Sequence, residues 1–219
     1  MGNRLRPGQV VFFPWGSIVT VELRQREQYA KGGAGRWYWD CRDQKALSLI
    51  GGEKNILDLG CGEGITLEKM LRQFPGRNIL GIDASPEKVK ICREHRLPAS
   101  EGSAYRLNFE DQSWDCCLLL EVIEHLADPR GALREIRRVL RTQGLLILVF
   151  PHDWLFKATR LAFLKFKEAF APSGHVKQWT PREMAEVLKE SGFGIKSMDC
   201  LPTGLWFCSL HCLVAAQRI

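Results

Sequence analysis

The sequence predicts an α/β fold of the doubly wound kind: a mostly parallel, seven-stranded sheet with helices on both faces, a C-terminal antiparallel hairpin and an N-terminal helical extension. Three observations predict it. From Lys54 onward, short apolar runs of strand length alternate with helical patterns, and continuous apolar strands separated by helices indicate a parallel sheet buried on both faces. The first such strand ends in alternating glycines, Gly60, Gly62 and Gly64, just before a helix. The last two strand-like runs follow one another with no helix between them, which suits antiparallel pairing at a sheet edge.

Taken in order, Gln9 to Glu22 is apolar and β-branched, as expected of a hairpin or an arm. Arg24 to Ile50 holds a glycine-rich turn at Gly32 to Gly35 and then a helical pattern, so residues 1–50 form an extension to a domain at 51–219. Asn55 to Leu59 reads as a buried strand, Gly64 to Gln73 as a helix and Asn78 to Ile82 as a second strand. Ser85 can cap a helix that has Pro86 in its first turn and runs to about His95. A third strand is expected near Ser103 to Leu107, a fourth at Trp114 to Leu120, a helix at Pro129 to Leu140 and a fifth strand at Leu145 to Phe150. An insertion at 152–179 follows. Its segment Trp154 to Phe170 is apolar and carries Lys157, Arg160, Lys165 and Lys167, which suits a lid, a membrane-surface helix or a packed helix with snorkelling lysines. Thr180 caps the helix Pro181 to Ser191, Gly192 ends it, and Phe193 to Asp199 and Ser209 to Ala216 form the terminal hairpin.

Composition narrows the class. A chain of 219 residues with 45% hydrophobic and 26% charged residues suits one globular domain. Its 31 Lys and Arg against 25 Asp and Glu give a net charge of +6, spread singly rather than in basic runs, so charge alone does not mark a nucleic-acid binder. No apolar run approaches a membrane span, and a cytoplasmic location is expected. The 8 cysteines include no C-x-x-C pair and fall mostly in strand-like runs, as buried free thiols do.

The run Ile56-Leu57-Asp58-Leu59-Gly60-Cys61-Gly62-Glu63-Gly64 is a strand, a turn and a helix start, which lets the backbone approach a ligand at the carboxyl edge of the sheet. The dinucleotide fingerprint needs a glycine where this chain has Ile65, so the turn suits a nucleoside ligand without a pyrophosphate. Asp83, directly after the second strand, is placed to accept hydrogen bonds from ribose hydroxyls. Beyond the fourth strand, Glu121, Glu124 and His125 stand at i, i+3 and i+4, sharing one face if the segment is helical. His175, in the insertion, can fold back over the same edge, and His152 is a further histidine at a strand end. Carboxylates and imidazoles together can act as a base or hold a divalent ion.

These segments resemble the class I S-adenosylmethionine-dependent methyltransferases, in particular the type-11 group, over roughly Trp37 to Phe193. The resemblance rests on the glycine turn, Gly81-Ile82-Asp83, the run Phe109 to Asp115, the run Leu119 to Leu126, Asp128-Pro129 and the strand ending Phe150-Pro151. It implies a Rossmann-like fold and S-adenosylmethionine as cofactor. Asp58, Gly60, Cys61, Gly62 and Gly64 would then lie at its methionine half, Asp83 at the ribose, and Ala84, Ser103, Ala104 and Glu121 around the remainder. Trp37, Tyr38, Trp39 and Arg42 resemble the N-terminal helix that covers the cofactor in related enzymes. Two positions depart from the pattern: Ser103 replaces an aspartate that meets the adenine amine, and Thr142-Gln143-Gly144 replaces Pro-Gly.

The Glu-x-x-Glu-His segment with a later histidine is similar to the ubiquinone-biosynthesis O-methyltransferases and the small-RNA 2′-O-methyltransferases, in which such residues hold a metal. The resemblance implies methylation of a small molecule at oxygen, with His125, Glu124 and His175 as catalytic candidates. Glu121, Glu124, His125 and His175 are the corresponding candidates for a divalent ion. RNA as acceptor, or a non-catalytic cofactor-binding partner subunit, are the alternative expectations.

Overall fold

A computed structural model describes residues 10–12, 18–20, 25–151, 177, 179–201 and 211–219. Strands β1 (Val10–Phe12) and β2 (Ile18–Thr20) pair antiparallel, the hairpin rather than the arm of the two expectations, followed by helices α1 (Gln25–Ala30) and α2 (Gly33–Leu47). The main sheet begins at β3 (Asn55–Leu59), α3 (Ile65–Gln73), β4 (Asn78–Asp83), α4 (Pro86–Glu94) and β5 (Ala99–Glu101). It continues through β6 (Trp114–Leu120), α5 (Pro129–Val139) and β7 (Leu140–Pro151), then α6 (Pro181–Glu190), β8 (Phe193–Leu201) and β9 (His211–Arg218).

The seven strands lie in the order β5-β4-β3-β6-β7-β9-β8. All neighbours are parallel except β7–β9 and β8–β9, so the doubly wound fold with its antiparallel C-terminal pair is the observed one. The strand order reverses between β3 and β4 on one side and β6 on the other, and the carboxyl edge there is the natural ligand crevice of an open α/β sheet. Because β9 runs antiparallel, it begins at that same edge: His211 pairs with Pro151, the last residue of β7.

The strands read as unbroken apolar runs because both faces are covered. Leu57, Cys117, Leu119, Leu146 and Leu148 belong to the core on one face, while Ile56, Cys116, Leu118, Ile147 and Val149 belong to the other, the period of two expected of a pleated strand. Helix starts follow their capping residues. Ser85 Oγ accepts from Lys88 N at 3.4 Å, and Asp128 Oδ1 accepts from Gly131 N at 2.9 Å ahead of Pro129. Thr180 and Glu183 form a reciprocal capping box. In α5 the buried residues Ala132, Leu133, Ile136 and Val139 make one apolar stripe against the sheet.

The third strand is displaced from its expected place. Ala99–Glu101 pairs with β4, while Ser103 and Arg106 make an isolated antiparallel bridge. The backbone expected to be a strand is tied to α5 instead. Leu107 N donates to Glu135 Oε1 at 2.7 Å, and the guanidinium of Arg138 donates to the carbonyls of Leu107 (2.9 Å) and Phe109 (2.8 Å). Side chains thus satisfy groups that a ladder would otherwise have had to pair. The 7 described cysteines are free thiols, with Cys200 and Cys212 facing each other across the terminal hairpin, their Sγ atoms 3.5 Å apart. No described helix is long and apolar enough to cross a membrane. The insertion from His152, including the expected lid segment Trp154 to Phe170, and Cys208 lie outside the described residues.

Candidate functional site

At the carboxyl edge of β3, β4 and β6 the chain encloses a cleft of about 350 Å³. Asp58, Gly60, Cys61, Gly62, Asp83, Ala84, Ser103, Ala104 and Glu121 all line it, so segments from four separate turns converge on one cleft. Gly64 does not line it. It is the left-handed N-cap of α3, and a Cβ there would lie 2.5 Å from Leu97 and 2.9 Å from Cys92 Sγ. The turn is held to the neighbouring strand by Gly60 N and Cys61 N, both donating to Ile82 O at 2.6 and 3.1 Å. The thiol of Cys61 is pushed well above the usual range by its hydrogen bond with Cys92 and by burial, so it stays protonated.

Asp83 does two jobs in the fold before any ligand is considered. Its Oδ2 accepts from Gly62 N at 2.8 Å and its Oδ1 from Ser85 N at 2.9 Å. The carboxylate therefore fixes the glycine turn to the start of α4, and its remaining lone pairs face the cleft that it lines. Ser103 Oγ is engaged as the acceptor of Tyr105 N at 3.2 Å. Tyr105 in turn accepts, through its hydroxyl, Ala127 N at 2.9 Å and Asp128 N at 3.3 Å, spanning two borders of the cleft.

Asp58 stands apart electrostatically. It is buried, and its Oδ2 lacks a hydrogen-bond partner among the described residues. Burial first, then the carboxylates of Asp43 and Asp83, push its carboxyl up to about 7 against the opposing charge of Arg42. A carboxyl whose folded value lies above its unfolded one binds more protons when folded, so the protein loses stability as pH rises from about 4 to about 7. Asp58→Asn removes that term. Thermal unfolding of the ligand-free variant is expected to match the parent near pH 4 and to exceed it above pH 7, by on the order of 4 kcal/mol. A stability difference that is the same at both ends of the pH range would sink this account of Asp58.

The roof over the cleft comes from residues that the sequence does not pair by any local signal. Gln25, Trp39 and Arg42 line it, and the buried Glu63 carboxylate accepts from Gln25 N (3.1 Å) and Arg26 N (2.8 Å) at the start of α1. Arg26 also donates from Nε to Glu63 O at 2.7 Å and pairs with Glu68 at 3.0 Å. On α2, Asp43 is buried and takes Arg42, Lys69 and Thr66 at 2.7, 2.7 and 3.2 Å.

The expected single helical face of Glu121, Glu124 and His125 does not form. Only Ile123–His125 is helical, as one 3-10 turn, and Glu121 stands before it with φ 55. Glu121 turns to Arg42 and to His211 Nε2, the latter at 3.1 Å. Burial raises the Glu121 carboxyl, but the hydrogen bond from His211 and the charge of Arg42 prevail and hold it at about 2. Glu124 is buried and is not among the residues that line the cleft, whereas His125 lines it with its side chain 48% exposed. The two remain neighbours, His125 Nε2 lying 3.9 Å from Glu124 Oε1. No three His, Cys, Asp or Glu side chains among the described residues are grouped to hold a metal ion: the carboxylate of Glu121 is spent on two cationic or hydrogen-bonding partners. His175 and His152 lie outside the described residues.

A mostly parallel sheet in this order with an antiparallel C-terminal pair, a glycine turn after its first strand and an acidic residue after its second are the features of the class I S-adenosylmethionine-dependent methyltransferase fold. The family model described as "Methyltransferase domain", of the type-11 group, matches residues 57–148. The ubiquinone biosynthesis O-methyltransferase of Sinorhizobium fredii is 30% identical over 177 residues, which is 76% of this chain and 68% of that protein. The corresponding enzyme of Xanthomonas oryzae pv. oryzae is 37% identical over 109 residues, 47% of this chain and 44% of that protein. An uncharacterized 37.1 kDa protein in transposon TN4556 of Streptomyces fradiae is 40% identical over 144 residues, 63% of this chain and 41% of its own length. The chain thus spans less than half the length of two of these relatives. Among solved structures, a SAM-dependent methyltransferase of Methanosarcina mazei superposes with a TM-score of 0.61 at 22% identity, covering 78% of this chain and 95% of that one. The [4+2]-cyclase SpnF superposes at 0.65 with 20% identity, covering 82% and 80%. The chain belongs to the S-adenosylmethionine-dependent methyltransferase family.

Proposed function

We propose that the chain binds S-adenosylmethionine in this cleft and transfers its methyl group to an oxygen of a small molecule. The observation that carries the reading is Asp58: a buried carboxylate whose Oδ2 has no partner among the described residues, lining the cleft beside a glycine turn, is a site prepared for a cation. The α-ammonium of the methionine half meets that requirement. A nicotinamide dinucleotide does not, because its pyrophosphate would bring negative charge towards Asp58 and Asp83. When bound, S-adenosylmethionine supplies a methyl group made electrophilic by its sulfonium.

The chain's own residues bind, orient and move a proton. Gly60 and Gly62 let the backbone approach the ligand, Asp83 offers acceptors for the ribose hydroxyls, and Ala84, Ser103 and Ala104 border the adenine end. Residues 25–47 cover the site and exclude water. His125, which lines the cleft, takes the proton of an acceptor hydroxyl. A bound oxygen acceptor agrees with the named activity of the ubiquinone biosynthesis relatives. Glu121 is committed to Arg42 and His211, so no divalent ion is assigned to it.

Calorimetry with S-adenosylmethionine, its demethylated product and NAD tests the reading. The first two should bind and NAD should not. Because the ligand's cation stabilises ionised Asp58, binding near pH 6.5 should release a proton, seen as a binding heat that varies with the ionisation enthalpy of the buffer. Binding of NAD in preference to S-adenosylmethionine would overturn the assignment.

A further inference from the structure

We propose that His211 is a positioning residue that latches α2 over the cofactor cleft through Glu121 and Tyr38; the proposal rests on reading that cleft as the S-adenosylmethionine site. His211 reaches the carboxyl edge only because β9 is antiparallel and starts there. It is buried, its Nε2 lies 3.1 Å from Glu121 Oε1, and its Nδ1 is hydrogen-bonded to the Tyr38 hydroxyl. The Tyr38 and His211 rings also pack, with centroids 5.4 Å apart at an angle of 33°.

The bonds define one tautomer of the neutral ring. An ionised Glu121 can only accept, so Nε2 carries the proton and Nδ1 accepts from Tyr38. Burial and the nearby Glu121 charge push the Tyr38 phenol up, which keeps it a donor. Tyr38 and Arg42 are four residues apart on α2 and so share a face, and Arg42 closes the circuit by pairing with Glu121. Two corners of this four-membered ring belong to α2, one to the end of β6 and one to the start of β9.

The ring supplies what the other attachments of α2 do not. Lys69 and Thr66 bind Asp40 and Asp43 and hold the helix to α3. Among the described residues, only Glu121 and His211 hydrogen-bond or ion-pair α2 to the far side of the cleft. Glu121 and Arg42 line the cleft, whereas Tyr38 and His211 do not, so the latch acts on the ligand through the placement of Glu121 and the roof residues. Glu121 holds φ 55, a conformation that side-chain-bearing residues avoid and that structures retain at ligand clamps.

The test compares the full chain with His211→Ala, His211→Gln and Tyr38→Phe. Binding and dissociation of the demethylated product, steady-state kinetics and amide exchange of residues 33–47 without ligand are the readouts. His211→Ala is expected to weaken product affinity and raise KM for S-adenosylmethionine about tenfold, with kcat within threefold, and to speed α2 exchange at least fivefold. His211→Gln, whose amide can donate to Glu121, should restore most of the affinity, and Tyr38→Phe should reproduce the faster exchange. Unchanged affinity and exchange in both His211→Ala and Tyr38→Phe would overturn the latch, as would a fall in kcat at unchanged KM, which would place His211 in the chemistry. If His211→Ala does not fold, Tyr38→Phe decides. If the parent chain binds no S-adenosylmethionine, the functional reading fails, and α2 exchange alone decides the latch.

Discussion

Gly60→Ala should lower affinity for S-adenosylmethionine and its product by about a hundredfold or more and cost the fold about 2 to 4 kcal/mol. Gly60 has φ 80, and a Cβ on it would stand 2.3 Å from Val122 Cγ2, with Cγ1 and Cβ of the same side chain at 3.2 and 3.3 Å. Val122 cannot rotate clear, because its Cβ is part of the contact, and it lines the cleft beside Glu121. Relief therefore requires the turn to move, which breaks the bond from Gly60 N to Ile82 O, or Val122 to move into the space of the ligand. Gly52→Ala is the control: a Cβ there meets nothing within 4 Å, and both binding and melting temperature should stay near the parent. Calorimetry and thermal melts read both effects. A Gly60→Ala protein with parental affinity and melting temperature would show that the turn does not approach the ligand.

His125→Ala should reduce kcat by about 10² to 10³ while changing product affinity less than twofold, the pattern of a lost base. His125 is the described histidine whose ring opens to the cleft, on a short turn closed by its own N–H to Val122 O at 2.9 Å. The neighbouring Glu124 is buried and held on its side of the turn, its carbonyl accepting from Lys177 N at 3.2 Å. Methyl transfer from a sulfonium gains most from positioning and desolvation, so the loss is bounded by the proton-transfer contribution. Single-turnover measurements at saturating cofactor separate the two. A kcat within threefold of the parent would leave acceptor deprotonation to solvent or to another group.

Most of the scaffold was legible because it is written in local patterns. β3, β6 and the helices that begin at Pro86, Pro129 and Pro181 fall where periodicity, and the caps Ser85 and Thr180, place them, within a residue or so at each end. The third strand was misplaced because its decisive partners, Glu135 and Arg138, sit on a helix about thirty residues away, and a strand of three residues, Ala99–Glu101, carries too little pattern to compete. The shared face of Glu121, Glu124 and His125 failed for a related reason. Helical spacing does not extend across Glu121, which holds a left-handed φ and bonds through its side chain to Arg42 and His211, 79 and 90 positions away.

The sequence by itself determined the alternation of strands and helices, the glycine turn and the acidic residue after the second strand. Those features are local: they depend on residue type, spacing and the chain's own hydrogen-bonding needs over a few positions. Tertiary structure alone decided which polar groups meet. It left Asp58 buried without a partner for Oδ2 among the described residues, gave Asp83 two backbone donors, set Glu63 at the start of α1 and joined Tyr38, Arg42, Glu121 and His211 in one ring. Those pairings depend on the strand order and on β9 running antiparallel, which brings the far end of the chain to the edge where β6 ends. Ion pairs and hydrogen bonds act over a few ångströms of space, whatever the separation in sequence, so they become definite only when the sheet is assembled.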